Sequence, residues 1–151
     1  MKLPKSRIIH YLDTWPVAML ATINTDGTPH QVPIVFVNDD NHRIWSPIDG
    51  KPKSANVLKR VRNAENNPMA SLLLDHYDED WALLWWIRIE IELRIIKLGQ
   101  NPPELNDANR AIGALRQKYP QYKTTPVLQE PFTLICMTAR STSSWCATNT
   151  A

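Results

Sequence analysis

The sequence has few cysteines, little net charge and no long apolar run. Its two cysteines, Cys136 and Cys146, are spaced neither as metal ligands nor as a redox pair. The formal net charge is +2, which gives no overall attraction to nucleic acid or to an anionic membrane. No stretch has the length and composition of a signal peptide or a membrane span. We therefore expect a cytoplasmic protein that binds neither nucleic acid nor membranes, so any anion site must be local.

The sequence patterns that usually carry catalysis are also missing. There is no nucleophile elbow, no Ser/His/Asp arrangement, no pair of carboxylates placed for acid–base work and no glycine-rich phosphate loop. The histidines are scattered, and the acidic run after His76 is typical of a turn that faces water. We expect no metal and can assign no catalytic residue. An enzyme of this kind would depend on a cofactor for its chemistry.

The most regular stretch covers residues 81–96. All of its odd positions are apolar, and its even positions from Arg88 to Arg94 are charged. This period of two predicts a long β-strand with one buried and one polar face. Leu84 and Trp86 interrupt the polar face, so we expect this end of the strand to be covered on both sides. The cover could be a partner subunit, a flat ligand, or both.

The rest of the chain predicts one domain over residues 1–151, built mainly from β-strands. Short connections between the strands favour antiparallel pairing, and six strands with few helices favour a barrel over a layered α/β sheet. The predicted helices are 5–15, 55–65 and a segment that ends before Pro120; the predicted strands are 17–24, 30–37, 43–48, 69–77, 81–96 and 132–139.

A cluster of basic residues gives the strongest chemical signal. Five cations lie within residues 51–62, around a helix start expected near Ser54. Free backbone N–H groups, the helix dipole and flanking cations together favour a bound phosphate. A solvated basic helix face would have the same composition, so both interpretations stay open. The tryptophans are similarly ambiguous: Trp85, Trp86 or Trp145 could flank a planar ring, seal a subunit interface, or simply pack in the core.

Several segments, in this order, resemble the pyridoxamine 5′-phosphate oxidase-like split β-barrel superfamily. They are LATINTDGTPHQVPIVFV, IWSPIDGKPKS, LKRVRNAENNPMASLLLDHY and the C-terminal Trp145. Within the superfamily, KPKS together with DHYDEDWALLWWIR resembles the deazaflavin-dependent branch. The resemblance covers approximately residues 5–145. It implies a six-stranded antiparallel split β-barrel with flanking helices, which forms a homodimer and binds FMN or the deazaflavin coenzyme F420 between subunits.

The resemblance also implies positions for the cofactor. Its phosphate would be held by Lys51, Lys53, Ser54 and Arg60, with Asn63 supporting the turn into the next strand. Its ring would lie on the backbone of Pro33, Ile34 and Val35 and of Pro47, Ile48 and Asp49. The partner subunit would close the site with Trp85 or Trp86, and with Arg88. Two cations common in the family are replaced here, by Leu58 and by Met69.

The expected function is hydride transfer between a bound deazaflavin or FMN and a small organic substrate, and the resemblance favours the deazaflavin. One alternative is a protein that stores or carries the cofactor without turnover, because acid–base residues are missing. Another is a structural dimer whose basic helix is only a solvated face.

Overall fold

A computed structural model describes residues 1–49 and 58–148. The described residues form three α-helices and seven β-strands. In chain order they are α1 (Lys5–Thr14), β1 (Ala18–Ile23), β2 (Pro29–Ile34), β3 (Val37–Asn38), β4 (Arg43–Pro47), α2 (Lys59–Asn66), β5 (Met69–His76), β6 (Trp85–Lys97), α3 (Leu105–Lys118) and β7 (Thr133–Cys146). No helix in this described part is both long and apolar enough to cross a membrane.

The strands form one antiparallel sheet in the order β2-β1-β5-β6-β7-β4-β3. The prediction of a mainly β antiparallel fold with flanking helices is confirmed, whereas the described sheet has seven strands instead of the six predicted for the split β-barrel, and these strands do not close into a barrel. The seventh strand is the two-residue β3, and β2 and β3 are edge strands without a ladder between them. At this gap the Phe36 N–H donates to the Tyr119 hydroxyl oxygen at 3.0 Å, so a side chain satisfies the backbone donor in place of a strand.

The long strand begins later than the period of two predicts. Residues Trp81–Leu83 form a single 3₁₀ turn, and β6 starts at Trp85. The Asp80 carboxylate accepts a hydrogen bond from the Ala82 N–H at 3.0 Å, which stabilises the turn at the expense of an extended chain. From Trp85 onward the alternation is as predicted, with the odd positions facing the core.

Two apolar clusters cover the sheet. The first contains the inward side chains of β6 and packs beneath α1 and α2. The second lies beneath α3 and includes Trp45, Ile96, Leu115 and Leu134. Both faces of β6 are covered near its end, because Ile95 packs against the first cluster and Ile96 belongs to the second.

The second helix also begins later than predicted. α2 starts at Lys59, and the residue before it, Leu58, is extended and packs against the first apolar cluster. Ser54, which was predicted to begin the helix, lies outside the described residues, together with Lys51 and Lys53.

Candidate cofactor site

Asn63 attaches α2 to the first hairpin. Its side chain is buried, and its Nδ2 donates to Thr22 Oγ1 at 3.0 Å and to Asn24 Oδ1 at 2.9 Å. The sequence suggested that Asn63 would support the turn into the next strand. The contacts instead join the helix to β1 and to the hairpin loop that follows it. Asn63 thereby holds α2 against β1 and the hairpin loop.

Arg60 is the second residue of α2 and is half-buried. Burial lowers the pKa of its guanidinium, and the nearby Asp49 carboxylate opposes that shift. The Arg60 Nε is buried and has no hydrogen-bond partner among the described residues. A buried guanidinium donor is costly unless it meets an acceptor. This atom is therefore suited to bind an anion.

Asp49 lies two residues after the end of β4 and is only 4% exposed. Its Oδ2 accepts a hydrogen bond from the Tyr122 hydroxyl at 2.8 Å. Tyr122 lies in the turn after α3 and is 8% exposed. Burial, the hydrogen bond to Asp49 and the charge of Asp49 all raise the pKa of the Tyr122 phenol. The phenol thus stays protonated and acts as a fixed donor to the carboxylate.

His30 lies close to the start of α2. It lies on β2, its Nδ1 is buried, and that atom has no hydrogen-bond partner among the described residues. Burial lowers the pKa of His30, and the charges of Lys59 and Arg60 lower it further. The start of α2 therefore brings two cations next to a half-buried imidazole. We did not predict His30 or Tyr122 from the sequence. The His30–Thr22 register of the first hairpin is the signal that could have located His30.

The two stretches expected to support the ring differ in exposure. Pro33 is exposed, whereas Ile34 is buried and Val35 is half-buried. Pro47, Ile48 and Asp49 are all buried. β3 pairs with β4 so that Val37 lies opposite Trp45 and Asn38 opposite Ile44, whereas Pro47 pairs with Leu134 of β7.

The backbone N–H and carbonyl of Ile48 already have hydrogen-bond partners within the chain. Its N–H donates to the Thr133 carbonyl at 3.1 Å, and its carbonyl accepts from the Gln129 N–H at 2.9 Å. Pro47 has no N–H to offer. A ring placed against residues 47–49 would therefore contact Ile48 by packing and would have to find hydrogen-bond partners elsewhere.

Trp85 and Trp86 point to opposite faces of β6. The Trp85 ring is 4% exposed and stacks on Tyr11 with 3.9 Å between centroids, with Trp15 edge-on at 4.7 Å. Trp85 thus packs inside the chain against α1 and the residue that follows it. Trp86 is half-buried on the outer face, with the exposed Arg88 guanidinium 5.6 Å from its ring centroid. Between the two alternatives, Trp86 is the one that faces outward.

A curled antiparallel sheet that stays open between its edge strands, with helices packed on it, defines the split β-barrel class. The chain belongs to the pyridoxamine 5′-phosphate oxidase family, whose sequence pattern matches residues 9–146. No curated protein matches the chain.

Solved structures share the fold. A conserved hypothetical protein from Mycobacterium tuberculosis is 20% identical with a TM-score of 0.74, and the match covers 98% of this chain and 88% of that one. An FAD-binding protein from Mesorhizobium loti is 15% identical with a TM-score of 0.67, covering 95% and 93%. The heme storage protein HutZ from Vibrio cholerae is 13% identical with a TM-score of 0.68, covering 97% and 95%. At these identities the likeness shows the fold alone.

Proposed function

We propose that this protein is a dimeric oxidoreductase that binds a deazaflavin or FMN and exchanges a hydride with a small organic substrate. The observation that carries the proposal is the buried Arg60 Nε, which has no acceptor among the described residues and lies in a region that also holds Lys59 and His30. Membership of the pyridoxamine 5′-phosphate oxidase family supports a flavin-type cofactor there. So does the presence of FAD-binding proteins among the structural neighbours.

In the proposed arrangement, Arg60 binds the cofactor phosphate. Lys51, Lys53 and Ser54, which lie outside the described residues, are proposed as further phosphate ligands on the strength of the sequence. Asn63 holds α2 in place through Thr22 and Asn24. Charge-assisted hydrogen bonds from arginine are the strongest class available for a phosphate.

The ring is proposed to lie along Pro33–Val35 and Pro47–Asp49. When bound, the cofactor supplies the hydride chemistry. The contribution of these residues is orientation and exclusion of water, since they are mostly apolar and their backbone is held by ladder and loop hydrogen bonds. The similarity of the segments KPKS and DHYDEDWALLWWIR to the deazaflavin-dependent branch favours coenzyme F420 over FMN.

A second copy of the chain is proposed to cover the outer face of the sheet. Trp86, Leu73 and Met19 lie on this face and belong to neither apolar cluster, and Trp86 pairs across the ladder with the exposed Trp145. Large exposed apolar patches are typical of association surfaces. Arg88, on the same face, is proposed to approach the cofactor of the other subunit.

We also propose the cytoplasm as the location, because Cys136 and Cys146 are both free thiols.

Storage or transport of the cofactor without turnover is the second candidate function. It is favoured by the state of the titratable groups near the site. The Tyr122 proton is held by Asp49, and its raised pKa makes it a poor general acid. In the described ranges, no group of three or more His, Cys, Asp or Glu has the arrangement of a metal site.

One set of measurements separates these functions. The protein purified from a host that lacks deazaflavin is examined by visible spectroscopy and then titrated with FMN and with coenzyme F420. Stopped-flow reoxidation of the loaded, reduced protein follows, with a panel of small unsaturated acceptors. Tight binding with an acceptor that reacts faster than with free cofactor supports the oxidoreductase. Tight binding without any such acceptor supports storage, and no binding of either cofactor contradicts both.

A further inference from the structure

The last residues of β6 have an open edge on the side of β5. β5 begins at Met69, which pairs with Glu92. One further bond follows, in which the Leu93 N–H donates to the Pro68 carbonyl at 2.7 Å. The next position along this line is Asn66, which is the last residue of α2 and is helical. β5 therefore does not cover the edge of β6 after Leu93.

The ladder determines which backbone groups face this edge. In an antiparallel pair, successive residues direct their N–H and C=O alternately to the two sides of the strand. Leu93 is bonded on the β5 side, and Leu98 is bonded on the β7 side, where its N–H donates to the Phe132 carbonyl at 3.1 Å. The N–H and C=O of Ile95 and the N–H of Lys97 consequently point to the β5 side, and no described residue pairs with them. Along the edge these groups read donor, acceptor, donor.

The open edge lines a cavity of about 570 Å³, which lies between the end of α2 and the segment leading into α3. A volume of this size is typical of sites for small molecules. Two ion pairs, Arg94–Glu104 and Lys97–Glu65, belong to the lining, so the four charges cancel. The cavity is therefore polar without attracting ligands of one charge.

Glu104 retains an acceptor for a ligand in this cavity. Its side chain is 14% exposed, and the ion pair with Arg94 uses only Oε1. Oε2 is buried and has no hydrogen-bond partner in the described part of the chain. Although Glu104 precedes α3, its side chain does not cap the helix. A buried carboxylate oxygen without a donor is costly, so a donor from a ligand would be favourable here.

The order of groups on the edge favours one kind of ligand. Donor, acceptor, donor is complemented by acceptor, donor, acceptor, which is the edge of a cyclic imide such as a pyrimidine-2,4-dione: one N–H between two carbonyls. An extended peptide carries the same groups. However, Pro68 already occupies the place opposite Leu93, so a peptide chain would be blocked just after the residue opposite Ile95. A compact ring avoids this collision.

We propose that this cavity binds a small molecule that contains a cyclic imide. The imide pairs with the backbone of Ile95 and Lys97, and a further N–H or O–H of the ligand donates to Glu104 Oε2. The inference is independent of the proposed function, because none of the residues proposed to bind the cofactor lines this cavity. Pyrimidine nucleosides and flavin rings both carry such an imide, and the experiment distinguishes these two sources.

The test follows the backbone amides by nuclear magnetic resonance while the nitrogen-15-labelled protein is titrated with uridine or with riboflavin. Each probe is paired with its N3-methyl derivative, which lacks the central donor. We expect at least one probe to shift the Ile95 and Lys97 amides saturably, and the probe that does so identifies the source. Its N3-methyl derivative should bind about tenfold more weakly or worse, because the Ile95 carbonyl is left without a donor. Equal binding of the methylated derivative would overturn the proposal, as would the absence of shifts at these amides with both probes.

Two pairs of variants test the named groups with the probe that binds. Lys97→Pro and Lys97→Ala both remove the ion pair with Glu65, but only proline removes the N–H, which has no ladder partner. We expect Lys97→Pro to bind about fivefold more weakly than Lys97→Ala, and equal affinities would contradict the backbone contact.

Glu104→Ala should weaken binding by a similar factor, whereas Glu79→Ala, at an exposed position outside the cavity, should have no effect. If circular dichroism shows that Lys97→Pro does not fold, the comparison of Glu104→Ala with Glu79→Ala decides the matter. Equal affinities of these two variants would overturn the proposed site.

Discussion

Arg60 is the residue on which the proposed cofactor site depends most directly. Replacing it by Gln removes the charge but keeps much of the side-chain volume. We expect Arg60→Gln to weaken FMN or F420 binding about tenfold or more, because a charge-assisted phosphate contact is lost. Arg116→Gln, on an exposed position of α3, is the matched control and should leave affinity unchanged. Isothermal titration of both variants checks this, and equal affinities would show that the basic helix face is only solvated.

Lys118 is a residue whose charge state depends on the fold. Its Nζ donates to the carbonyls of Leu12 and Phe36, and lies 3.9 Å from the Phe36 ring centroid. Burial lowers its pKa from the usual 10.5 to about 8, with the charge of Asp13 opposing the shift. The ammonium group thus links α3 to the end of α1 and to the segment between β2 and β3.

The lowered pKa of Lys118 determines the direction in which stability changes with pH. Between about pH 8 and 10 the unfolded chain keeps a proton on Lys118 that the folded protein has released, so the contribution of this group to stability rises with pH. We expect the difference in unfolding free energy between wild type and Lys118→Met to shift in favour of wild type from about pH 7.5 to 9.5. Urea unfolding at several pH values measures it. A difference that is constant across this range would contradict the prediction.

α1 is held to the sheet by aromatic packing around Trp85. The stack with Tyr11 and the edge contact with Trp15 bury the ring almost completely. We expect Trp85→Ala to destabilise the fold by about 3–5 kcal/mol, since a large buried ring is replaced by a cavity. Trp81, which is 71% exposed, provides the control, and Trp81→Ala should cost less than about 0.5 kcal/mol. Denaturant unfolding of both variants tests the comparison, and similar losses would refute it.

The elements show where sequence patterns suffice and where they do not. The alternation of residues 87–95 could be predicted because each outward charge is separated from the next by one inward apolar residue. The turn at Trp81–Leu83 could not, because it depends on a single side chain, that of Asp80, reaching the Ala82 N–H. β3 was missed for a similar reason: two residues are too short to show a period.

At the scale of the whole molecule, the order of segments was enough to identify the family and the antiparallel fold. The site was only partly predictable. Arg60 and Asn63 could be named because they lie in one short basic stretch with a familiar order. Tyr122 could not, since its contact with Asp49 spans 73 residues and nothing local to either residue indicates it.

Association of two copies is the prediction that belongs to this scale. Trp86→Glu places a carboxylate on the outer face of the sheet, beside Asp75 and opposite Trp145. We expect it to shift the protein from dimer to monomer and to weaken cofactor binding in parallel, because the proposed site lies between subunits. Sedimentation velocity and cofactor titration measure the two effects. Trp81→Glu is the control, and a Trp86→Glu protein that remains a dimer with unchanged affinity would refute the interface.

The edge strand β2 influences how copies of this chain can associate. Pro29 and Pro33 both lie in β2, and a proline fits a paired strand only where its nitrogen faces away from the ladder. The period of two places the Gln31 N–H on the same free side, so the edge of β2 offers one donor where a strand without proline would offer three. Another chain cannot easily extend the sheet at this edge. Open-ended, fibre-like growth from β2 is thereby disfavoured, and closed pairing through the face of the sheet remains available.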